Sequence, residues 1–217
     1  MVAEGLLHLF DEHMRPPGIV EGEGYTMVFR PPADGDVEGL VAQLRAHDGY
    51  REWKYYEHDG LELAERLRAA GLRADDKETV VVAEAASLAP PPPELDLRVD
   101  GPAFVDLHER VFGSRHQLDP TSVQVVAFVD GEPVSGGRID LAGTGVFAGL
   151  FGGATVPEFR GRGLYRATVA KRAELARERG VPWLYVDALP TSRPILEQLG
   201  FVAITTTTPF TIPRAAH

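Results

Sequence analysis

The stretch Val156-Pro157-Glu158-Phe159-Arg160-Gly161-Arg162-Gly163-Leu164-Tyr165 runs from an apolar segment straight into a long helical pattern. The first N–H groups of a helix have no partner within it, and the helix dipole adds partial positive charge there, so a helix start attracts anions. Gly161 and Gly163 remove the side chains that would hold a phosphate away from those N–H groups. Arg160, Arg162 and Arg166 add charge at the same point. The stretch therefore predicts a strand, a pyrophosphate cradle and a helix, in that order.

Other phosphate-binding turns do not fit. A nucleoside-triphosphatase loop needs G-x-x-x-x-G-K-[ST], and the chain contains no Gly-Lys pair. A dinucleotide fingerprint needs G-x-G-x-x-G, but the residue three after Gly163 is Arg166. What is left is Arg160-x-x-Gly163-x-Tyr165.

Composition narrows the field further. The 217 residues are 44% hydrophobic and 25% charged, the balance of a globular chain that buries a core. No apolar run is long enough to cross a bilayer, and residues 1–14 are acidic and amphipathic, unlike a signal peptide. No membrane partner is expected, and a cytoplasmic location is. Cysteine is absent, which excludes disulfides, thiolate metal sites and cysteine nucleophiles. A net charge of −10 argues against nucleic acid as a partner, because phosphate contacts dominate that affinity. The histidines His8, His13, His47, His58 and His217 show no metal-ligand spacing, so no metal is expected.

Four prolines, Pro90 to Pro93, form a stiff spacer that neither a helix nor a central strand accommodates. They divide the chain into residues 1–89, a linker at 90–96, and residues 97–217. In the last part, residues 102–112 read as a helix with Phe104, Leu107, His108 and Val111 on one face. Residues 123–129 and 134–141 read as strands joined by the turn Asp130-Gly131-Glu132-Pro133. Residues 145–156 read as a longer strand, whose Gly149, Gly152 and Gly153 point to a bulge or a close backbone approach. A helix follows over 163–179, a buried strand over 182–187, a short helix over 192–199 with Ser192 as its cap, and a final strand pair or one long bent strand over 201–212.

The order of these elements, the Arg160-x-x-Gly163-x-Tyr165 turn and the closing Leu199-Gly200-Phe201 together resemble the GNAT acyltransferase superfamily. Its coenzyme A motif is written [Q/R]-x-x-G-x-[G/A], and Tyr165 stands where Gly or Ala is preferred. The resemblance covers residues 97–212. It implies an α/β fold with a mixed, splayed central sheet flanked by helices, and acetyl-coenzyme A as co-substrate. It further implies that the main chain of Ala154, Thr155 and Val156 pairs with the pantetheine arm. The N–H groups of Arg160, Gly161, Arg162, Gly163, Leu164 and Tyr165 would then take the pyrophosphate.

Residues 1–89 carry a partial echo of this pattern. Trp53-Lys54-Tyr55-Tyr56-Glu57 and Trp183-Leu184-Tyr185-Val186-Asp187 both read Trp-x-Tyr-x-acid, and each precedes a helix ending in Gly and an apolar residue. With a strand at 25–29 and a helix at 37–46 facing inward through Val37, Leu40, Val41 and Leu44, the first part reads as a truncated, degenerate GNAT-like half. Its loop Arg30-Pro31-Pro32-Ala33-Asp34-Gly35-Asp36 has acids in place of the cradle, so a structural role is expected.

Acyl transfer to an amine needs a neutral amine, a polarised carbonyl and a proton for the departing thiolate. In many superfamily members a tyrosine four residues before the Gly of L-G-F gives that proton; the position is Leu196 in this chain. An asparagine often found eleven residues before that Gly is replaced by Leu189. Tyr165, Thr191 and Ser192 are the nearest substitutes in sequence. Asp187 is the candidate base, because the C-terminal ends of strands in such sheets face the ligand cleft. Glu158 reads as solvent-facing, His108 as a core histidine, and His116 as a residue of an acceptor-shaping loop. The chain is thus expected to acetylate an amine of a small molecule or a protein, as a monomer or homodimer. A non-catalytic acyl-coenzyme A binder is the alternative, kept open by Leu196.

Overall fold

A computed structural model of the chain describes residues 2–22, 24–31, 35–113, 118, 121–141 and 145–213. It divides into two units: the first comprises Met1–Val80, Ala188–Pro190 and Ile204–His217, the second Val81–Asp187 and Thr191–Ala203. The expected boundaries at 1–89, 90–96 and 97–217 do not follow this division. Val81, Val82, Ala83, Ala85 and Leu88 are already buried before the proline tract. Arg177 then fixes that segment within the second unit by donating to the Ala85 carbonyl at 2.6 Å.

In the first unit, helix α1 (Val2–Met14) precedes the hairpin β1 (Ile19–Gly22) and β2 (Tyr25–Val28). Helix α2 (Val37–Ala46) carries the chain from β2 to β3 (Tyr50–Tyr56), which runs parallel to β2. Asp36 caps α2 by accepting from the Gly39 N–H at 2.8 Å, and Val37, Leu40, Val41 and Leu44 are the helix's buried face. After α3 (Leu61–Ala69) and the two-residue β4 (Arg73–Ala74), β5 (Glu78–Glu84) leads into the second unit. Trp53 and Phe210 face each other in the antiparallel pairing of β3 with the chain's last strand, and both are fully buried.

Arg15, just past α1, is 1% exposed. It reaches both carboxylate oxygens of Asp59 at 2.6 and 2.7 Å, Asp11 at 2.9 Å and the Phe29 carbonyl at 3.0 Å, with its guanidinium over the Tyr56 ring. Burial alone would raise the Asp11 carboxyl, but hydrogen bonds from His58 and Arg15 outweigh it and hold the group below the usual carboxylate range.

The second unit continues with β6 (Asp96–Val99), α4 (Gly101–Phe112), β7 (Ser122–Val129), β8 (Glu132–Asp140) and β9 (Phe147–Thr155). Then come α5 (Leu164–Glu178), β10 (Trp183–Ala188), α6 (Arg193–Gln198) and β11 (Val202–Thr211), whose later residues belong to the first unit. β6, β7, β8 and β9 are successively antiparallel, and β10 is parallel to β9. The β7–β8 turn has two residues, not four: Asp130 and Gly131 both take positive φ, which lets Val129 pair directly with Glu132. A Cβ added at Gly136 would meet Leu107 and Phe104 of α4, whereas one at Gly137 would meet Arg172 of α5. Neighbouring residues point to opposite faces of a strand, so α4 and α5 flank this mixed sheet on opposite sides.

Replacing Asp59 by Asn should lower the unfolding free energy by about 3 kcal/mol, as expected when a buried ion pair loses one partner. Urea denaturation monitored by Trp fluorescence reads this loss; an unchanged midpoint would show that Arg15 does not depend on Asp59.

Candidate functional site

The start of α5 is built around two backbone inversions. After the short turn Pro157–Phe159, Gly161 takes φ 75° and Gly163, the N-cap, takes φ 79°. Both lie in the left-handed region, where any other residue is strained. A Cβ added at either glycine meets nothing within 4 Å, so the space in front of them is open. The first helical bond is from the Ala167 N–H to the Gly163 carbonyl at 3.0 Å. Among the described residues no backbone carbonyl accepts from the N–H groups of residues 161–166. Arg160 differs from the expectation: its N–H donates to the Pro157 carbonyl at 3.2 Å, because the preceding turn closes on it.

The three arginines are exposed. Arg160 folds back so that its Nε donates to the Thr155 carbonyl at 3.3 Å, Arg162 lies over the Phe159 ring, and Arg166 bonds the side chain of Gln198. α5 has no acid in its first turn. Open space, unpaired N–H groups and uncompensated cations fit a diphosphate.

The strand leading to this corner loses its neighbour. β10 and β9 pair only where Trp183, Leu184 and Tyr185 face Phe147, Ala148 and Gly149. Beyond Gly149 the two strands part. On its other side β9 stays paired with β8, but the register slips so that Gly152 and Gly153 together face Gly137. This is a β-bulge.

The three main-chain contacts expected of this strand divide. Val156 donates to the Val134 carbonyl at 2.9 Å, and the Ala154 carbonyl accepts from the Ser135 hydroxyl at 3.1 Å. Alternate residues of a strand direct their backbone groups to opposite edges. Ala154 and Val156 therefore point toward β8, and Thr155 points to the edge that β10 has left.

Asp187 is half-buried near the end of β10, on the side of the sheet that Tyr185 shares. Ser192 stands at the N-cap of α6 but its side chain makes no capping bond; its backbone is already helical there. Leu196 is fully buried, so the position of the superfamily's tyrosine is a packed core site. Leu189 and Thr191 are exposed, as is Glu158 in the turn before the cradle. His108 packs between Phe104 and Phe112, and its Nε2 lies 3.2 Å from the Gly152 carbonyl. Burial pushes this imidazole below the usual histidine range, against the Gly152 bond that favours the charged form. His116 lies outside the described residues. Among the described residues no three His, Asp or Glu side chains gather as metal ligands, and no helix is long and apolar enough to cross a membrane.

The Acetyltransferase (GNAT) family model matches residues 87–201, just over half of the chain. The chain belongs to the GNAT acetyltransferase family. Solved structures share the fold. A GCN5-related N-acetyltransferase from Kribbella flavida superposes with a TM-score of 0.68 at 17% identity, over 99% of this chain and 95% of that one. Another, from Sphaerobacter thermophilus, gives 0.58 at 14% identity, over 91% and 76%. No curated protein matches the chain in sequence.

One feature of this GNAT chain carries little signal in its sequence. Arg172 interrupts the small apolar side of α5 yet is 1% exposed. Its Nε donates to the Thr168 carbonyl at 3.0 Å and one terminal nitrogen to the Arg138 carbonyl at 3.1 Å; the other terminal nitrogen is buried without a partner. A lone arginine in a helical pattern reads as a solvated residue, and only Gly137 opposite, whose missing Cβ leaves the room, explains its burial.

Gly163→Ala should cost about 1–2 kcal/mol through the left-handed backbone alone, since no contact opposes the new methyl group. Leu196→Tyr should cost roughly 1–3 kcal/mol by overfilling a closed core position. Thermal unfolding of the two variants measures both; a stable Leu196→Tyr protein would mean that the slot is open to a ring.

Proposed function

We propose that the chain is an acetyl-coenzyme A-dependent N-acetyltransferase, passing the acetyl group to an amine by direct attack on the thioester. The observation that carries this reading is the run of unpaired N–H groups at residues 161–166 beside a strand edge without a neighbour. In this reading the N–H groups of Gly161, Arg162, Gly163, Leu164 and Tyr165 hold the pyrophosphate, with Arg162 and Arg166 adding charge. Thr155 and the bulge residue Gly153 offer backbone groups to the pantetheine amides, acting as the missing neighbour strand does. The contacts are to main chain, so Tyr165 in place of Gly or Ala does not remove them.

Asp187 is the base in this reading, taking the proton that makes the amine a nucleophile; Ser192 is a second polar group on the segment that follows. The acceptor is an amine of a small molecule or a protein. The chain's net charge of −10 favours a cationic one, because a field of one sign draws the opposite charge. A cytoplasmic monomer or homodimer completes the proposal.

The buried Leu196 favours one other reading, a domain that binds acyl-coenzyme A without turning it over. Acetyl-coenzyme A at roughly a hundred times its dissociation constant should stabilise the protein by about 2.7 kcal/mol, read as a thermal shift. Arg162→Glu combined with Gly163→Asp should abolish the shift. Thiol release with a panel of amines then separates the readings: release supports the transferase, and a shift without release supports the binder. No shift in the unaltered protein overturns both.

A further inference from the structure

Arg172 is a buried cation with no anion. Its two hydrogen bonds go to carbonyls, one terminal nitrogen has no partner, and no carboxylate among the described residues pairs with it. A charge held so far from water is costly unless something negative meets it. The group that feels its field is the phenol of Tyr165, two turns earlier on the same face of α5. The guanidinium lies close enough for a side-chain interaction with that hydroxyl, while one of its terminal nitrogens keeps donor capacity unspent.

Two glycines make the room for this pair. A Cβ at Gly137 would come within 2.6 Å of the Arg172 guanidinium, and one at Gly153 within 2.8 Å of the Tyr165 ring and 3.7 Å of its hydroxyl. Gly137 and Gly153 face each other across the β9 bulge. Gly153 is exposed and lies further from the cradle along β9 than Thr155 does, which in the transferase reading is toward the coenzyme's thiol-bearing end. The other ionisable groups near the bulge approach from elsewhere. Arg138 and Asp140 pair with each other on the α4 face of β8, and His108 meets Gly152 from α4.

We infer that Tyr165 is the proton donor of the transfer and that Arg172 is the positioning residue which holds its phenolate. This rests on the transferase reading above. As the amine nitrogen bonds to the thioester carbon, the C–S bond breaks and its electron pair leaves on sulfur. Tyr165 gives the sulfur its hydroxyl proton, producing the free thiol. The phenolate left behind faces Arg172, and the proton shed by the new amide nitrogen restores the phenol by way of water. Burial pushes the phenol's ionisation up, and Arg172 pulls against that rise. The superfamily's tyrosine slot at Leu196 is thereby not needed.

The test uses the full chain, acetyl-coenzyme A and hydroxylamine as a small reactive acceptor. Thiol release is read with a disulfide reagent, which meets no protein thiol because the chain has no cysteine. Tyr165→Phe should lower kcat about 100-fold, the usual scale of one acid–base group. It should keep the thermal shift with acetyl-coenzyme A. Arg172→Met should fold with an unchanged or raised melting temperature, since an apolar side chain of similar size replaces an unpaired charge, yet lose at least about tenfold in kcat. Arg172→Lys should restore part of that rate.

A second readout needs no turnover. Ultraviolet difference titration should show one phenol, absent in Tyr165→Phe, whose ionisation moves to higher pH in Arg172→Met and less so in Arg172→Lys. Thermal shift and thiol release that survive Tyr165→Phe at full rate would overturn this inference alone. So would a phenol titration indifferent to Arg172. No thermal shift in the unaltered protein would overturn the transferase reading and this role together. If Arg172→Met fails to fold, Arg172→Lys and Tyr165→Phe decide by the same criteria.

Discussion

The separation of β9 from β10 is the constraint on which the second unit turns. Backbone N–H and C=O groups at a strand edge need partners, and an edge in the middle of a sheet is normally paired on both sides. Past Gly149 that pairing stops. The bulge at Gly152 and Gly153 lies within the separated part of β9, where an extra residue adds local twist and turns the strand away from its former line. The opening then ends at the start of α5, where a second set of unpaired N–H groups begins. In the proposed reading, one backbone discontinuity thus supplies a slot for an extended amide chain and, at its end, a seat for an anion.

Electrostatics at that seat are local. The chain as a whole carries −10, but solvent screens exposed charges beyond about 10 Å at ordinary ionic strength. In the proposed reading, an arriving diphosphate meets a helix start without an acidic residue in its first turn, and three exposed arginines. Two of these are held by neutral partners: Arg160 by the Thr155 carbonyl and Arg166 by the Gln198 amide oxygen. Neutral acceptors orient a guanidinium without cancelling its charge, whereas a carboxylate partner would leave little field for a ligand.

The parts of this arrangement that depend on one residue type at one position were legible in the sequence. The cradle glycines, a helix start after a strand, and the inward stripe of α2 all appear as local patterns. Features set by pairing partners were not. β6 is four residues long and half polar, and exists because β7 offers it an edge. The unit boundary at Val80 depends on the last strand pairing with β3, a contact no local window contains. The division of backbone directions among Ala154, Thr155 and Val156 follows from the β8 register, which the bulge shifts. Tyr165 was legible only as an exception to a motif. What its ring touches became clear from Gly153, and the buried state of Arg172 from Gly137.

Two helix starts, one in each unit, show what separates a capped helix from an uncapped one. α2 opens on Asp36, whose carboxylate accepts from the Gly39 N–H at 2.8 Å and supplies the negative charge that the helix dipole favours. A Cβ at Gly39 would lie 2.1 Å from that carboxylate, so the space in front of the helix is already filled by the chain itself. α5 opens on Gly163, which has no side chain to offer, and the space before it is empty to 4 Å. A Ser, Thr, Asn or Asp cap would gain only a few tenths of a kcal/mol over glycine, less than the strain such a residue would meet at the left-handed φ of Gly163. A helix of this length, buried along most of its inner face, holds together through packing without a cap. The missing capping side chain at its first turn is what leaves the N–H groups without an acceptor from the helix's own cap.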